Sequence, residues 1–332
     1  MKQYTTLKLL AEKLGLSIST VSRALKDHPD ISLSTRERVK HMAESMQYEP
    51  NTFATRLRTN QSKILGVIVP FFTNFFYEAF VAGLEEEARK FGYSLLVLQS
   101  GEVVDTELKN LEIMRQNRVD GLFVSLTCNT RDIGYFKKIE ELGIPVIFAD
   151  NVPDFEACNK VRFDDEQAAL IAARAIISKH RKRVLGLFYS SEQVSVTRKR
   201  LESFKKHFDQ HGADTALEIQ FHKEIAEGEK LVSRALRKPH PPDTIFCIGD
   251  NSLVGAMIAI QNAGLSIPDQ IAVISISNGL IPQLYKPKIT YVKTSGRELA
   301  QLAFSRLMEI FSGRTFVREQ LLPVTLIKGQ SL

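Results

Sequence analysis

No stretch of this 332-residue chain comes near the run of about 18 apolar residues that a membrane-spanning helix needs, so none is expected. The N-terminal segment MKQYTTLKLLAEKLG lacks the unbroken apolar core and small-residue cleavage site of a secretory signal, which points to a cytoplasmic protein. Cysteine is scarce. Cys128, Cys158 and Cys247 lie far apart and form no C-x-x-C pair, which argues against a disulfide scaffold or structural zinc and for small buried hydrophobes. The chain contains no G-x-G-x-x-G, no phosphate loop of the G-x-x-x-x-G-K-[ST] kind, no H-E-x-x-H and no G-x-S-x-G. Nothing therefore suggests a nucleotide-dependent enzyme, a zinc peptidase or a serine hydrolase, and no cofactor, metal or catalytic residue is expected. His180, in the basic turn KHRKR, reads as solvated.

Hydrophobic residues make up 44% and charged residues 25% of the chain, the proportions of an ordinary globular protein. The length suggests two or three domains. The net charge of +6 is unevenly spread: residues 1–60 hold ten Lys/Arg against six Asp/Glu, and the remainder 34 against 32. A small basic head on a nearly neutral body suits a polyanionic partner.

The head carries only helical signals. Leu7, Leu10, Ala11 and Leu14 recur at the spacing of one helical face, and Gly15 follows as a stop. Ser17 can cap a second helix that turns Val21, Ala24 and Leu25 inward. A third is expected to start at Ser34, with Glu37 completing a capping box and Val39, Met42, Ala43 and Met46 forming its apolar stripe. Three short helices, the first two separated by GLS, describe a helix-turn-helix. The stretch LGLSISTVSRAL holds four hydroxyl residues, one arginine and no acid. A solvent-facing helix would use Glu, Lys and Gln there, so the hydroxyls suggest a contact other than water. After Pro50, Asn51 could cap one further turn over Thr52 to Arg58, too short to be stable alone.

From Ile64 onward apolar strands alternate with helices, and the rhythm restarts after Asn159. This predicts two doubly wound parallel-sheet lobes of an α/β fold, with late elements exchanged between them. The expected division is 1–50 for the head, 51–62 for a hinge and 63–332 for a bilobal domain. Its first lobe would hold 63–158 and 291–320, and its second 159–290 and 321–332. Ligands in such folds sit at strand carboxyl ends, so the cleft between lobes is the expected binding site.

In order along the chain, TLKLLAEKLGLSISTVSRALKDHPDISLSTRERV, YEPNTFATRLRT, ILGVIVPFFTNFFYEAF, RVDGLFV, IPVIFAD and IFCIGDNSLVGAMIAIQNAGLSIPDQIAVI resemble the LacI/GalR family of bacterial transcription regulators over essentially the whole length. The resemblance implies a helix-turn-helix head, a periplasmic-binding-protein-like body, and a homodimer on a palindromic double-stranded DNA operator. Its affinity would be set by a small-molecule effector. In such a head the second helix enters the major groove. Ser17, Thr20 and Ser22 are short enough to hydrogen-bond phosphate, and Lys26 could add an electrostatic contact. The resemblance assigns sequence reading to Ile18, Ser19 and Arg23, the arginine suited to a bidentate guanine contact, and phosphate contacts to Ser32 and Thr35. In the hinge it implies Leu57 as a minor-groove wedge and Ala54 as a site of close helix approach, with Asn51, Arg56 and Arg58 beside them.

For the effector it implies Phe72, Asn74, Phe76 and Asp150 from the first lobe and Val196, Arg200, Asp250 and Ser277 from the second. Arg200 and Asp250 could equally form an ion-pair network bracing the lobes. The chain departs from the family pattern at Phe75, at Gly249-Asp250, at Gly329, and at Ser277, which stands where an acceptor aspartate is usual. That loss leaves room for an anionic or phosphorylated ligand beside the expected sugar. The alternatives are a solute-binding protein, disfavoured by the basic head, and an architectural DNA binder with little sequence preference.

Overall fold

The computed structural model describes residues 5–48, 61–154, 156–189, 194–212 and 214–332. The chain divides into two compact units between Ser62 and Lys63.

The described residues of the first unit form three helices. Helix α1 (Leu7–Leu14) is capped by Thr6 and ends at Gly15, whose φ of 67° is the left-handed conformation that glycine adopts without strain. Helix α2 (Ile18–Ala24) starts at Ser17, whose hydroxyl accepts the Thr20 N–H. Helix α3 spans Leu33–Ser45. A helix of seven residues cannot persist alone in water. Its inward side chains Val21 and Ala24 are buried with Leu10, Ala11, Leu14, Val39 and Ala43, and this shared core holds it. The expected cap of α3 at Ser34 is corrected: Ser32 is the cap, its hydroxyl accepting the Thr35 N–H. Ser32 has the extended backbone a cap requires, whereas Ser34 already lies inside the helix.

The second unit holds two sheets. Strands β1 (Ile64–Val69), β2 (Ser94–Gln99), β3 (Gly121–Val124), β4 (Val146–Ala149) and β5 (Lys160–Phe163) alternate with helices α4 (Phe75–Lys90), α5 (Val104–Gln116) and α6 (Gly134–Glu141). The chain then continues through α7 (Asp165–Ile177), β6 (Arg183–Tyr189), α8 (Ser195–His211), β7 (Ala216–His222), α9 (Ile225–Leu236), β8 (Thr244–Cys247), α10 (Asp250–Asn262), β9 (Ala272–Ser277), the single turn α11 (Ile281–Leu284) and β10 (Thr290–Lys293). It closes with α12 (Gly296–Phe311), β11 (Glu319–Leu322) and β12 (Thr325–Ile327). The first sheet runs β11-β5-β4-β3-β1-β2 and is parallel throughout. The second runs β12-β10-β9-β8-β6-β7 and is parallel except for β12. Central strands such as VIFA, TIFC and AVISIS are buried along their whole length, as expected where helices cover both faces. The edge strands β2 and β11 stay partly exposed.

Sheet membership corrects the expected lobe boundaries. Lys160–Phe163 adds to the first sheet instead of opening the second, Thr290–Lys293 belongs to the second, and Leu321 and Leu322 still pair in the first. An apolar run announces a strand but not its neighbour. The chain crosses between lobes three times, at 163–165, 293–296 and 322–325. Asp164 and Ser295 cap the helices that follow the first two crossings, so these links are pinned at their helical ends. Near the C-terminus Gly329 passes so close to the main chain of Lys288 and Ile289 that a Cβ there would stand 2.2 Å from the Lys288 carbonyl oxygen. No larger residue fits that backbone. Cys158 and Cys247 are buried and Cys128 half-buried, all as free thiols. Among the described residues no helix is long and apolar enough to cross a membrane.

Candidate functional site

In the head, the starts of α2 and α3 repeat one local design. SIST (17–20) and SLST (32–35) each begin with a capping serine. Ser17 Oγ lies 2.8 Å from both Ser19 Oγ and Thr20 Oγ1, and Ser32 Oγ lies 2.8 Å from Thr35 Oγ1. Each helix thus presents clustered hydroxyls beside free N–H groups, an arrangement suited to phosphate oxygens. Next to each capping serine stands an exposed aliphatic residue, Ile18 and Leu33. Leu33 went unassigned in the sequence; the SIST/SLST repeat is the signal that could have found it.

Ser19, Arg23 and Lys26 are also exposed, whereas Thr20, Ser22 and Thr35 are half-buried. Among the described residues the guanidinium of Arg23 has one loose partner, Asp30 at 3.9 Å, which also lies 3.3 Å from His28 Nδ1. Asp27 is held below the usual carboxylate range by its hydrogen bond from Lys40. Asn51, Ala54, Arg56, Leu57 and Arg58 lie outside the described residues.

In the body, strand order reverses beside β1 in the first sheet and beside β6 in the second. Loops leaving the strands on either side of such a reversal diverge and open a crevice. A cavity of about 130 Å³ lies there between the lobes. Asn74, Phe76, Asp150, Val196, Arg200, Asp250 and Ser277 all line it. Phe72 does not and is the exception among the expected residues. Its neighbour Phe71 lines the cavity, while Phe72 is 46% exposed and donates its N–H to Gln99 Oε1.

The charged groups are organised around these walls. Asp150 follows β4 with φ 65° and accepts a 2.9 Å hydrogen bond from the Tyr77 hydroxyl, which Ser125 supports in turn. Burial, reinforced by the nearby Asp165 carboxylate, pushes the Asp150 carboxyl up to about 7. Arg200 donates from Nε to Asp165 Oδ1 at 2.8 Å and from Nη1 to the Ile248 carbonyl at 3.0 Å. Burial raises the Asp165 carboxyl while Arg200 opposes the shift. Asp250 accepts from the Ser277 hydroxyl and from the Asn278 N–H, and burial raises its carboxyl against those bonds. Through these hydrogen bonds Arg200 ties α7, α8 and the end of β8 within the second lobe, and its charge also acts on Asp150 across the cleft.

Other residues span the cleft. Asn151 Oδ1 accepts from both the N–H and the hydroxyl of Ser195, and Asp154 pairs with Arg198 and Lys199. Asn278 donates to the Phe75 carbonyl and accepts the Gly296 N–H. These partners went unassigned in the sequence, because an asparagine or aspartate after a strand looks like any loop residue. Asp165 was equally hidden, since an acid in the first turn of a helix is common.

Residues 62–330 match the family model described as periplasmic binding proteins and sugar binding domain of LacI family. Residues 6–51 match that of bacterial regulatory proteins, lacI family. The chain is 24% identical to the catabolite control protein A of Priestia megaterium, over 92% of each sequence. It is 26% identical to the HTH-type transcriptional regulator GntR of Escherichia coli K12, over 100% of this chain and 99% of that one. A solved lac repressor dimer bound to operator and an anti-inducer superposes with a TM-score of 0.88 at 24% identity, covering 99% of both chains.

Proposed function

The chain belongs to the lacI family of bacterial regulatory proteins, a DNA-binding transcription regulator and not an enzyme, and from that premise we propose that it is a cytoplasmic repressor. In this reading two copies grip a palindromic operator, and a small hydroxylated molecule between the lobes sets the strength of the grip. One observation carries the DNA half: α2 buries Val21 and Ala24 while leaving Ile18, Ser19 and Arg23 exposed. Its first turn can then enter a major groove without disturbing the head's core. Ser17, Thr20, Ser22, Lys26, Ser32 and Thr35 contact phosphate, and Arg23 reads a guanine after leaving Asp30. In the hinge, Leu57 wedges the minor groove, with Asn51, Ala54, Arg56 and Arg58 in the supporting roles the family resemblance implies.

Supporting the dimer are Leu280 and Leu284, 57% and 67% exposed around α11, an apolar edge suited to a second copy. The operator-bound dimer among the similar solved structures favours the same assembly. The effector acts because its affinity differs between two arrangements of the lobes, whose cross-cleft bonds at Asn151, Asp154 and Asn278 break or re-form as the angle changes.

Hydroxyl-radical footprinting on a duplex selected by the purified chain tests this. Protection related by a two-fold axis is expected, and a one-sided footprint contradicts the dimer on a palindrome.

A further inference from the structure

The charge inside the interlobe cavity bears on which ligand it takes, given the reading above that the effector binds there. Three carboxyl groups, those of Glu102, Asp150 and Asp250, line it. The one cation among the described lining residues is Arg200, and its guanidinium is already paired with Asp165 at 2.8 Å. Asp165 offsets the Arg200 charge, so acidic groups outnumber cations along the described lining of the cavity.

We infer that the cavity selects a hydroxylated ligand carrying one ammonium group, of the amino-sugar kind, over its neutral and phosphorylated counterparts. A phosphate dianion would lose its hydration facing three acidic side chains, with Arg200 already engaged by Asp165, and an uncompensated charge in such a site is costly. An ammonium group supplies the charge that is missing. Asp150 Oδ1 has no hydrogen-bond partner among the described residues and offers it an acceptor. The rings of Phe76, Tyr77 and Tyr189 also line the cavity and attract cations through their faces. The loss of an acceptor at Ser277 is thus no opening for an anion, because the serine hydroxyl donates to Asp250 and leaves that carboxylate in place.

Binding should also move a proton. Tyr77 on α4, Asp165 on α7 and Arg200 on α8 face Asp150, and Glu102 and Asp250 share the cavity. With burial and Asp165 raising the empty site's Asp150 carboxyl to about 7, a bound ammonium ionises it. The amine's affinity then rises with pH below about 7, with one proton released for each ligand bound.

The test is calorimetric titration of the full-length protein with matched trios: glucose, glucosamine and glucose 6-phosphate, then the galactose and mannose equivalents. In at least one trio the amine should bind about tenfold or more tighter than the neutral sugar, with the phosphate weakest. Asp150→Asn and Asp250→Asn should each cut the amine's advantage severalfold. Asp165→Asn, which frees the Arg200 charge, should instead improve phosphate binding. If one variant does not fold, the other two decide. Tighter binding of a neutral or phosphorylated member overturns the inference while leaving the cavity as the effector site. An amine preference that none of the variants alters also overturns it. No binding by any member overturns the inference and the effector reading together.

Discussion

Arg23 in the head and Arg200 in the body are the same side chain put to opposite uses. The Arg23 side chain is 57% exposed and 3.9 Å from its acidic neighbour Asp30. The Arg200 side chain is 9% exposed and 2.8 Å from Asp165, with a second bond to a main-chain carbonyl. The serines follow suit. Ser17 and Ser32 cap their helices at the surface with hydroxyls clustered around them, whereas Ser277 is buried and donates to Asp250. The head leaves its chemistry available for a partner that arrives from outside. The body pairs its buried arginine and serine internally, which fixes the cavity wall in advance.

The contrast breaks most visibly at Arg200. Arg200→Ala leaves Asp165 buried without its cation and should cost about 3–5 kcal/mol of stability in urea unfolding. A loss below about 1 kcal/mol, the value for an exposed pair, would erase the distinction. Asp150 gives the next effect, through pH. Its native carboxyl, raised to about 7, lies above the ordinary value of an unfolded chain, so the native state binds the extra proton between the two. That contribution is complete below about pH 4 and is lost as pH rises toward 7, with a slope no steeper than about 1.4 kcal/mol per pH unit. Comparing wild type with Asp150→Asn across that range should isolate the slope, and parallel curves would remove it.

In the head, Arg23→Ala should weaken binding to the selected duplex by about 1–3 kcal/mol and relax specificity at one base pair, with the melting temperature unchanged. The smallest effect falls on the caps. Ser17→Ala or Ser32→Ala should destabilise the head by about 1 kcal/mol, read by thermal unfolding.

Much of this contrast could be read from the chain alone, and the parts that could not share a cause. The spacing of Leu7, Leu10, Ala11 and Leu14, the stop at Gly15 and the cap at Ser17 are local signals, and each appears where expected. Strand runs are equally local, so the alternation that makes two doubly wound sheets was legible. Which sheet Lys160–Phe163 and Thr290–Lys293 join was not, because that depends on partners over a hundred residues away in part. At α3 the capping-box pattern pointed to Ser34, and the extended backbone that makes Ser32 the cap is not encoded in residue type. Seven of the eight expected cavity residues line the cavity. Phe72 misses by one position, a matter of loop geometry that residue type does not encode. Asp165, whose pairing engages Arg200, looks in the sequence like an ordinary first-turn acid.

The central claim is that the exposed first turn of α2 reads duplex DNA. Selection of bound duplexes from a random pool, run side by side with wild type and Arg23→Ala at moderate salt, tests it most directly. The account predicts a dyad-symmetric sequence enriched by the wild type and a blurred or lost consensus with the variant. Equal recovery of all sequences by both proteins would contradict it.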